Sequence, residues 1–332
     1  MLFDTLKKAG INGFIISIFA AVILAYIYQP PNIEIITNNV KNITNIGVSV
    51  IFFLYGIGLD RNVLRSDLKN YRLHTLIHGS TFIFFPLTAL AITYILPSDF
   101  DPVLKTGIIF LASLPSTVSS SVVMVSISGG NIASAIFNSA LSSLAGVFIT
   151  PLIMSLYLHS APGESIELST VIFKLILQVI LPLSIGMLLH KRLSGFYAKN
   201  KSRLKLFDQT IIVLIIYQSF AESFHQHLFS SISSTSIFTL FLITILMFFA
   251  TMGLINLTCK LLDFDLKDYK TALFCGSKKS LVHGTTMSKV LFSGSPYAGI
   301  YLLPIMIYHA GQLIIGGFIA EKMASKMLKS NV

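Results

Sequence analysis

The stretch CGSKKSLVHG, residues 275–284, sits inside a segment that otherwise reads as a hydrophobic helix. Two adjacent ammonium groups, Lys278 and Lys279, lie near its middle. No acidic residue occurs between Lys270 and Glu321 to pair with them. A charge at that depth of a bilayer costs roughly 2.5–3.5 kcal/mol on insertion scales, and neither helix end is close enough for the side chains to snorkel out. Adjacent residues of a regular helix point about 100° apart, so both lysines can face one cavity only if the helix unwinds. Gly276 and Gly284 bracket the polar core. The stretch reads as a break in a membrane helix.

Composition agrees with a membrane setting. Hydrophobic residues make up 54% of the 332, charged residues 11%, and the mean hydropathy is +0.78. A soluble globular chain carries roughly 25% charged residues. Apolar runs of the length that spans a bilayer recur from end to end, which makes this a polytopic, all-α membrane protein. The net charge of +10 does not point to nucleic acid, because the basic residues cluster in short segments between apolar runs. Cys259 and Cys275 offer neither a disulfide framework nor metal-ligand spacing. The first apolar run, 14–28, lacks a small-x-small cleavage site after it and reads as a retained helix.

Ten spans are expected, at about 12–28, 40–59, 73–97, 103–128, 131–159, 167–190, 207–226, 235–261, 270–292 and 296–321. With the N-terminus cytoplasmic, the inside segments hold 18 of the 24 basic residues. These are Lys7, Lys8, Arg61, Arg65, Lys69, Arg72, Lys191, Arg192, Lys199, Lys201, Arg203, Lys205, Lys260, Lys267, Lys270, Lys322, Lys326 and Lys329. The outside segments carry Glu34, Asp99, Asp101, Glu164, Glu167 and Glu222 instead. Both termini are therefore placed in the cytoplasm and the chain in an inner or plasma membrane. Two sets of five spans have opposite orientations, which is the inverted repeat of many secondary transporters. Residues 1–190 hold the first repeat and the sixth span, 191–206 form a basic cytoplasmic connector, and 207–332 hold spans seven to ten. The connector, within KRLSGFYAKNKSRLKLF (191–207), reads as a hinge, either an amphipathic segment on the anionic leaflet or a solvated basic loop.

An inverted repeat predicts matching interruptions in the fourth span of each half. The fourth span contains SLPSTVSSS (113–121), where Pro115 lacks a backbone donor and Ser116, Thr117, Ser120 and Ser121 can satisfy groups freed by unwinding. Either interruption alone is also what a simple kink looks like. Two at matching positions point to a transport site. The flanking spans fit this reading. Asn131, Ser134, Asn138 and Ser142 share one face of the fifth span, and His309, Gln312 and Gly316 share one face of the tenth. Packing between membrane helices also uses small and polar residues, which accounts for Gly316 and Ser142 better than for the asparagines.

A hydrolase built on Ser277, Lys278 and Ser280 with His283 is the weaker reading, because no carboxylate orients the base and an adjacent Ser-Lys pair is poorly placed for proton transfer. The ten-span plan, IFFLYGIGLDRNVL (51–64), LPSTVSSSV followed by SGGNIASAIFNSAL, and FCGSKKS together resemble the bile acid:sodium symporter family. They are most similar to its divergent branch, shared by bacteria and animals. The resemblance implies a panel of spans 1, 2, 6 and 7 beside a core of spans 3–5 and 8–10, with helices 4 and 9 crossing in the core. It implies one sodium site at Ser121, Ser134, Asn138 and Ser139, and a second drawing on the third span and the ninth-span break. The chain departs from the family pattern at that second site. The glutamate of the ninth-span break is replaced by Phe274 or Cys275, the third-span glutamine by Thr81 before Pro86, and the polar pair by lysines.

The expected function is secondary-active transport of an organic anion, bile-acid-like or another amphipathic or carboxylate solute, by alternating access and sodium:solute symport. The alternative is a proton-coupled or uncoupled carrier in which Lys278 and Lys279 replace sodium. A non-transporting membrane regulator that binds a ligand is the reading from another class. Candidate solute or ion ligands are Thr81, Ser116, Thr117, Ser120, Ser121, Asn131, Ser134, Asn138, Ser139, Ser277, Lys278, Lys279, Ser280, His283, His309 and Gln312. The expected partners are a small organic anion, a sodium ion and the lipid bilayer, with no nucleic acid.

Overall fold

The computed structural model describes residues 13–28, 33–58, 70–160, 173–174, 176–293 and 295–330. Among them every regular element is helical. The basic positions Lys7, Lys8, Arg61, Arg65 and Lys69, the acidic Glu164 and Glu167, and residues 59–64 of the family-like motif lie outside the described residues.

Helices α1 (Gly13–Ile27) and α2 (Ile33–Gly58) are followed by α3 (Tyr71–Ile95), which contains a π-helical turn at Ser80–Phe84. Next come two short helices, α4 (Pro102–Ser113) and α5 (Ser119–Ser128), then the long α6 (Ile132–Ser160). Helix α7 (Leu181–His225) precedes α8 (Ser234–Leu261). A second pair of short helices, α9 (Leu266–Gly276) and α10 (Leu281–Leu291), leads to α11 (Ala298–Ser330). Six stretches among the described residues are long and apolar enough to cross a membrane, and α1 and α4 are shorter apolar helices.

The sequence sets these boundaries locally. Asp101 caps α4, accepting from the backbone N–H groups of Val103 and Leu104 at 2.8 and 3.1 Å, with Pro102 at the first helical position, the residue order that favours a helix start. Asp265 caps α9 through the N–H of Asp268 at 2.8 Å. Gly129 ends α5 at φ 74°, the left-handed conformation that suits glycine.

The basic connector 191–206 departs from the loop reading, because α7 is helical straight through it. Its lysines, arginines and leucines are good helix formers and it holds no proline. The helix nevertheless turns back on itself. Gly186 packs against Gly56 of α2, and Ile211 packs against Gly47 of the same helix. The two contacts are nine residues apart in α2 and 25 apart in α7, or about 13 Å against about 37 Å along a straight helix. The two limbs of α7 must therefore run in opposite directions along α2.

Packing divides the helices into two groups. Helices α1 and α2 pack on α7, while α3, the short-helix pairs, α6, α8 and α11 pack on one another. Membrane helices gain little from the hydrophobic effect, so close backbone approach matters more. At the α2–α7 crossing a Cβ on Gly56 would lie 2.2 Å from the Leu183 carbonyl oxygen, and one on Gly186 would lie 2.2 Å from that of Phe53. Only glycine fits there.

Candidate functional site where two broken helices cross

Both pairs of short helices are interrupted helices. Between α4 and α5 the chain is extended from Leu114, and between α9 and α10 it is unwound over Ser277, Lys278, Lys279 and Ser280. The two breaks touch. The Ser280 N–H donates to the Pro115 carbonyl at 2.9 Å, and the Ser116 hydroxyl donates to the Cys275 carbonyl at 2.6 Å. Each break thus satisfies backbone groups that the other leaves open.

Helices behind the crossing complete the set. The Ser116 N–H, the usual partner of Ala112, donates instead to the Ser142 hydroxyl at 2.9 Å, and Thr150 donates to the Ser113 carbonyl at 2.8 Å. From α11, Gln312 brackets the Lys279 backbone. Its amide oxygen accepts from the Lys279 N–H and its nitrogen donates to the Lys279 carbonyl, both at 2.8 Å. Tyr308 donates to the Ser277 carbonyl at 2.6 Å, and His309 Nδ1 lies 2.9 Å from Gln312 Nε2.

The two lysines diverge. Both are fully buried. Lys278 Nζ turns to α11 and donates to the Gln312 carbonyl at 3.0 Å, in space left by Gly316, whose Cβ would stand 2.9 Å from it. Lys279 Nζ donates to three carbonyls, those of Thr81 at 2.7 Å, Ala112 at 2.6 Å and Leu114 at 2.7 Å, and lies 4.2 Å from the centre of the Phe85 ring. An ammonium has three hydrogens to donate. All of Lys279's are committed.

The π-helical turn in α3 supplies one of those acceptors. The Phe85 N–H bonds to the Ser80 carbonyl, so it is lost to Thr81. The next donor in line would come from residue 86, which is proline and has none. The Thr81 carbonyl is thereby free, while its hydroxyl donates back to Ile77 at 2.8 Å. The Ala112 and Leu114 carbonyls belong to the open C-terminal end of α4, where the helix dipole favours a cation.

The remaining candidates fall into three places. Ser280 caps α10 through the His283 N–H at 3.3 Å, and its hydroxyl lies 3.0 Å from His283 Nδ1. The His283 ring stacks on Tyr55 of α2 with centroids 5.3 Å apart. Ser277 donates back to Leu273, and the Thr117 and Ser120 hydroxyls pair with each other at 3.1 Å. On the α5–α6 side, the Ser121 and Ser134 hydroxyls are buried with no hydrogen-bond partner. Asn138 Oδ1 lies 3.0 Å from His74 Nδ1, and Ser139 Oγ lies 4.0 Å from Cys275 Sγ. Asn131 sits at the edge of this group, its Oδ1 accepting from the Ser134 N–H at 3.2 Å while its side-chain nitrogen donates to Asp268 at 3.2 Å and its N–H to Thr271 at 2.8 Å.

A small sodium ion is compatible with the α5–α6 group, since two buried hydroxyls there lack partners. All its oxygens are neutral, and no cluster of three His, Cys, Asp or Glu exists among the described residues. The sequence reading missed a second place. Where α2 and α7 meet α10 and α11, Lys41, Gln218, Glu222 and Lys289 line a cavity of about 60 Å³. Its local signals were Gln218, a lone amide within the apolar run IIVLIIYQSF (211–220), and Lys289, a charge inside the expected ninth span.

The profile of the SBF-like CPA transporter family matches residues 12–325. An uncharacterised protein of Pseudomonas aeruginosa is 35% identical over 86% of this chain and 85% of its own length. Sodium/bile acid cotransporter 7 of Xenopus tropicalis is 30% identical over 86% and 83%, and that of Mus musculus 28% over 97% and 95%. With nearly the whole chain matched, this protein belongs to the SBF-like CPA transporter family, a family of membrane transporters and not of enzymes.

Proposed function

We propose that the chain moves an organic anion by alternating access, with Lys279 filling the position that a bound cation takes in a sodium symporter. The observation that carries this reading is the coordination of the Lys279 ammonium by three carbonyls from α3 and α4 at 2.6–2.7 Å. Carbonyl oxygens converging at an open helix end are ligands for a small cation. Here the cation is tethered to the chain. No acid lies within 271–320 to neutralise the pair of lysines, and the N-terminal ends of α5 and α10 add positive potential at the crossing. An anionic solute suits that field.

In this reading α1, α2 and α7 form the panel and the other helices the core. Counting each broken pair as one span and α7 as two gives ten, in two inverted sets of five, with both termini cytoplasmic. The bile acids in the names of relatives and smaller carboxylates are the solutes to try. The test is uptake of labelled taurocholate and of small carboxylates into proteoliposomes, with sodium replaced by choline at two pH values. Uptake that persists in choline is expected. A steep sodium requirement overturns the lysine-for-cation assignment, a steep dependence on the pH gradient shows proton coupling, and saturable binding without accumulation shows a regulator.

The orphaned Ser121 and Ser134 hydroxyls favour a second reading, in which one sodium ion binds between α5 and α6. Uptake then rises with sodium along a single-site curve above the choline baseline. Ser121→Ala or Ser134→Ala removes the rise and leaves the baseline.

A further inference from the structure

We infer that the cavity between the α2–α7 pair and the α10–α11 turn is a subsite for the carboxylate head of a small monoanion. This deepens the anion-carrier reading and rests on it for the ligand's onward movement, but not for its binding. Lys41 enters from α2 and Lys289 from the last turn of α10, and both line the space with Gln218, Glu222, Ser288 and Ser295. Lys289 donates to Gln218 Oε1 at 2.5 Å, an oxygen that also lies 3.4 Å from Thr44 Oγ1. Among the described residues neither ammonium has a carboxylate within 4.0 Å. Each ammonium carries three donors, so Lys289 retains two and Lys41 all three for an occupant.

Charge and size select the class of occupant. Two lysines against the single Glu222 leave one unit of positive charge, which a monoanion balances. The lysines also repel each other across the space, and an oxyanion between them converts that repulsion into two charge-assisted hydrogen bonds. At about 60 Å³ the cavity admits a handful of heavy atoms, given that one water needs on the order of 10–15 Å³. A carboxylate with a short chain fits, and a steroid nucleus does not. Because the walls come from both packing groups, an occupant here binds across the boundary that alternating access would open.

The experiment uses the purified full chain in detergent, with melting followed by a thiol dye that reports exposure of the buried Cys259 and Cys275. Choline lactate is titrated against choline chloride at matched ionic strength, with inorganic phosphate and phosphatidylglycerol vesicles as separate arms. Lactate should raise the melting temperature saturably. Lys41→Gln and Lys289→Gln should each raise the half-saturating lactate concentration by about tenfold, the loss of one charge-assisted hydrogen bond. A response no larger than chloride's, variants that titrate like the parent, or stabilisation only by phosphate or only by the lipid each overturn the proposal. Uptake in proteoliposomes separates the two readings. Lactate binding without uptake keeps this subsite and removes the carrier, whereas anion uptake with no saturable lactate response in the melting titration keeps the carrier and removes the subsite.

Discussion

At the scale of single residues, the adjacent lysines have unequal tasks, and the structure gives the reason. Lys279 holds three carbonyls that have no other donor, whereas Lys278 holds one. A buried acceptor stripped of its partner costs about 1–3 kcal/mol. Lys279→Met should therefore lose several kcal/mol and much of its folded yield, and Lys278→Met much less, because the Gln312 carbonyl lies inside α11 and keeps that helix's own donor, as read by thermal melting and gel filtration. Lys278→Met should fold yet lose uptake, because its ammonium is the one with donors to spare. Lys279→Ala offers a sharper comparison. Removing the side chain leaves three inward carbonyls and a vacancy, so sodium chloride should stabilise this variant relative to choline chloride by more than it does the parent. A sodium effect on Lys279→Ala no larger than on the parent would show that the carbonyl cage is not a cation position. The sequence made these lysines visible through their missing acids. It did not separate their roles, since that depends on a carbonyl freed 198 residues away, at Thr81.

At the scale of elements, the two breaks were legible and their fit was not. Pro115 with its hydroxyl neighbours, and the Gly276 to Gly284 bracket, mark where helical hydrogen bonding must lapse. Which groups then take up the freed bonds depends on crossing geometry, and no local pattern encodes that. The connector shows the opposite case. Its helix-forming composition is plain in the sequence, yet its charge left a solvated loop and an amphipathic segment on the leaflet equally open, and the chain stays helical while bending. Helix α6 shows how tightly the first break is backed, because a Cβ on Gly146 would meet the Pro115 ring at 2.6 Å. Gly146→Ala should destabilise the protein by about 1–3 kcal/mol through overpacking and lower uptake by displacing the crossing. Gly253→Ala, which meets nothing within 4 Å, should be neutral or slightly stabilising. Melting curves of the two variants side by side give the answer, and equal behaviour would mean that α6 does not position the break.

At the scale of the whole molecule, the decisive feature is the boundary between the two packing groups. Among the described residues the polar contacts across it are single ones, the Lys289–Gln218 bond among them. Ser223 of α7 donates to the Pro296 carbonyl at 2.6 Å, Gly299 approaches the Ser219 backbone so closely that a Cβ would stand 2.8 Å from its carbonyl oxygen, and His283 stacks on Tyr55. Hydrogen bonds that cross the boundary singly add little to the cost of opening it, since each contributes only about 0.5–1.5 kcal/mol net. If solute passes by relative movement of the two groups, tying them together must stop transport. Cysteines at Ser223 and Pro296 place one thiol on each side, outside the lysine cavity and the crossing, while the native Cys259 and Cys275 are buried away from reagent. A short reducible bis-thiosulfonate should abolish uptake by the double variant, with recovery after reductant and no effect on either single variant. Uptake that continues at the uncrosslinked rate once crosslinking is confirmed by mass spectrometry would mean that this boundary stays closed throughout the cycle.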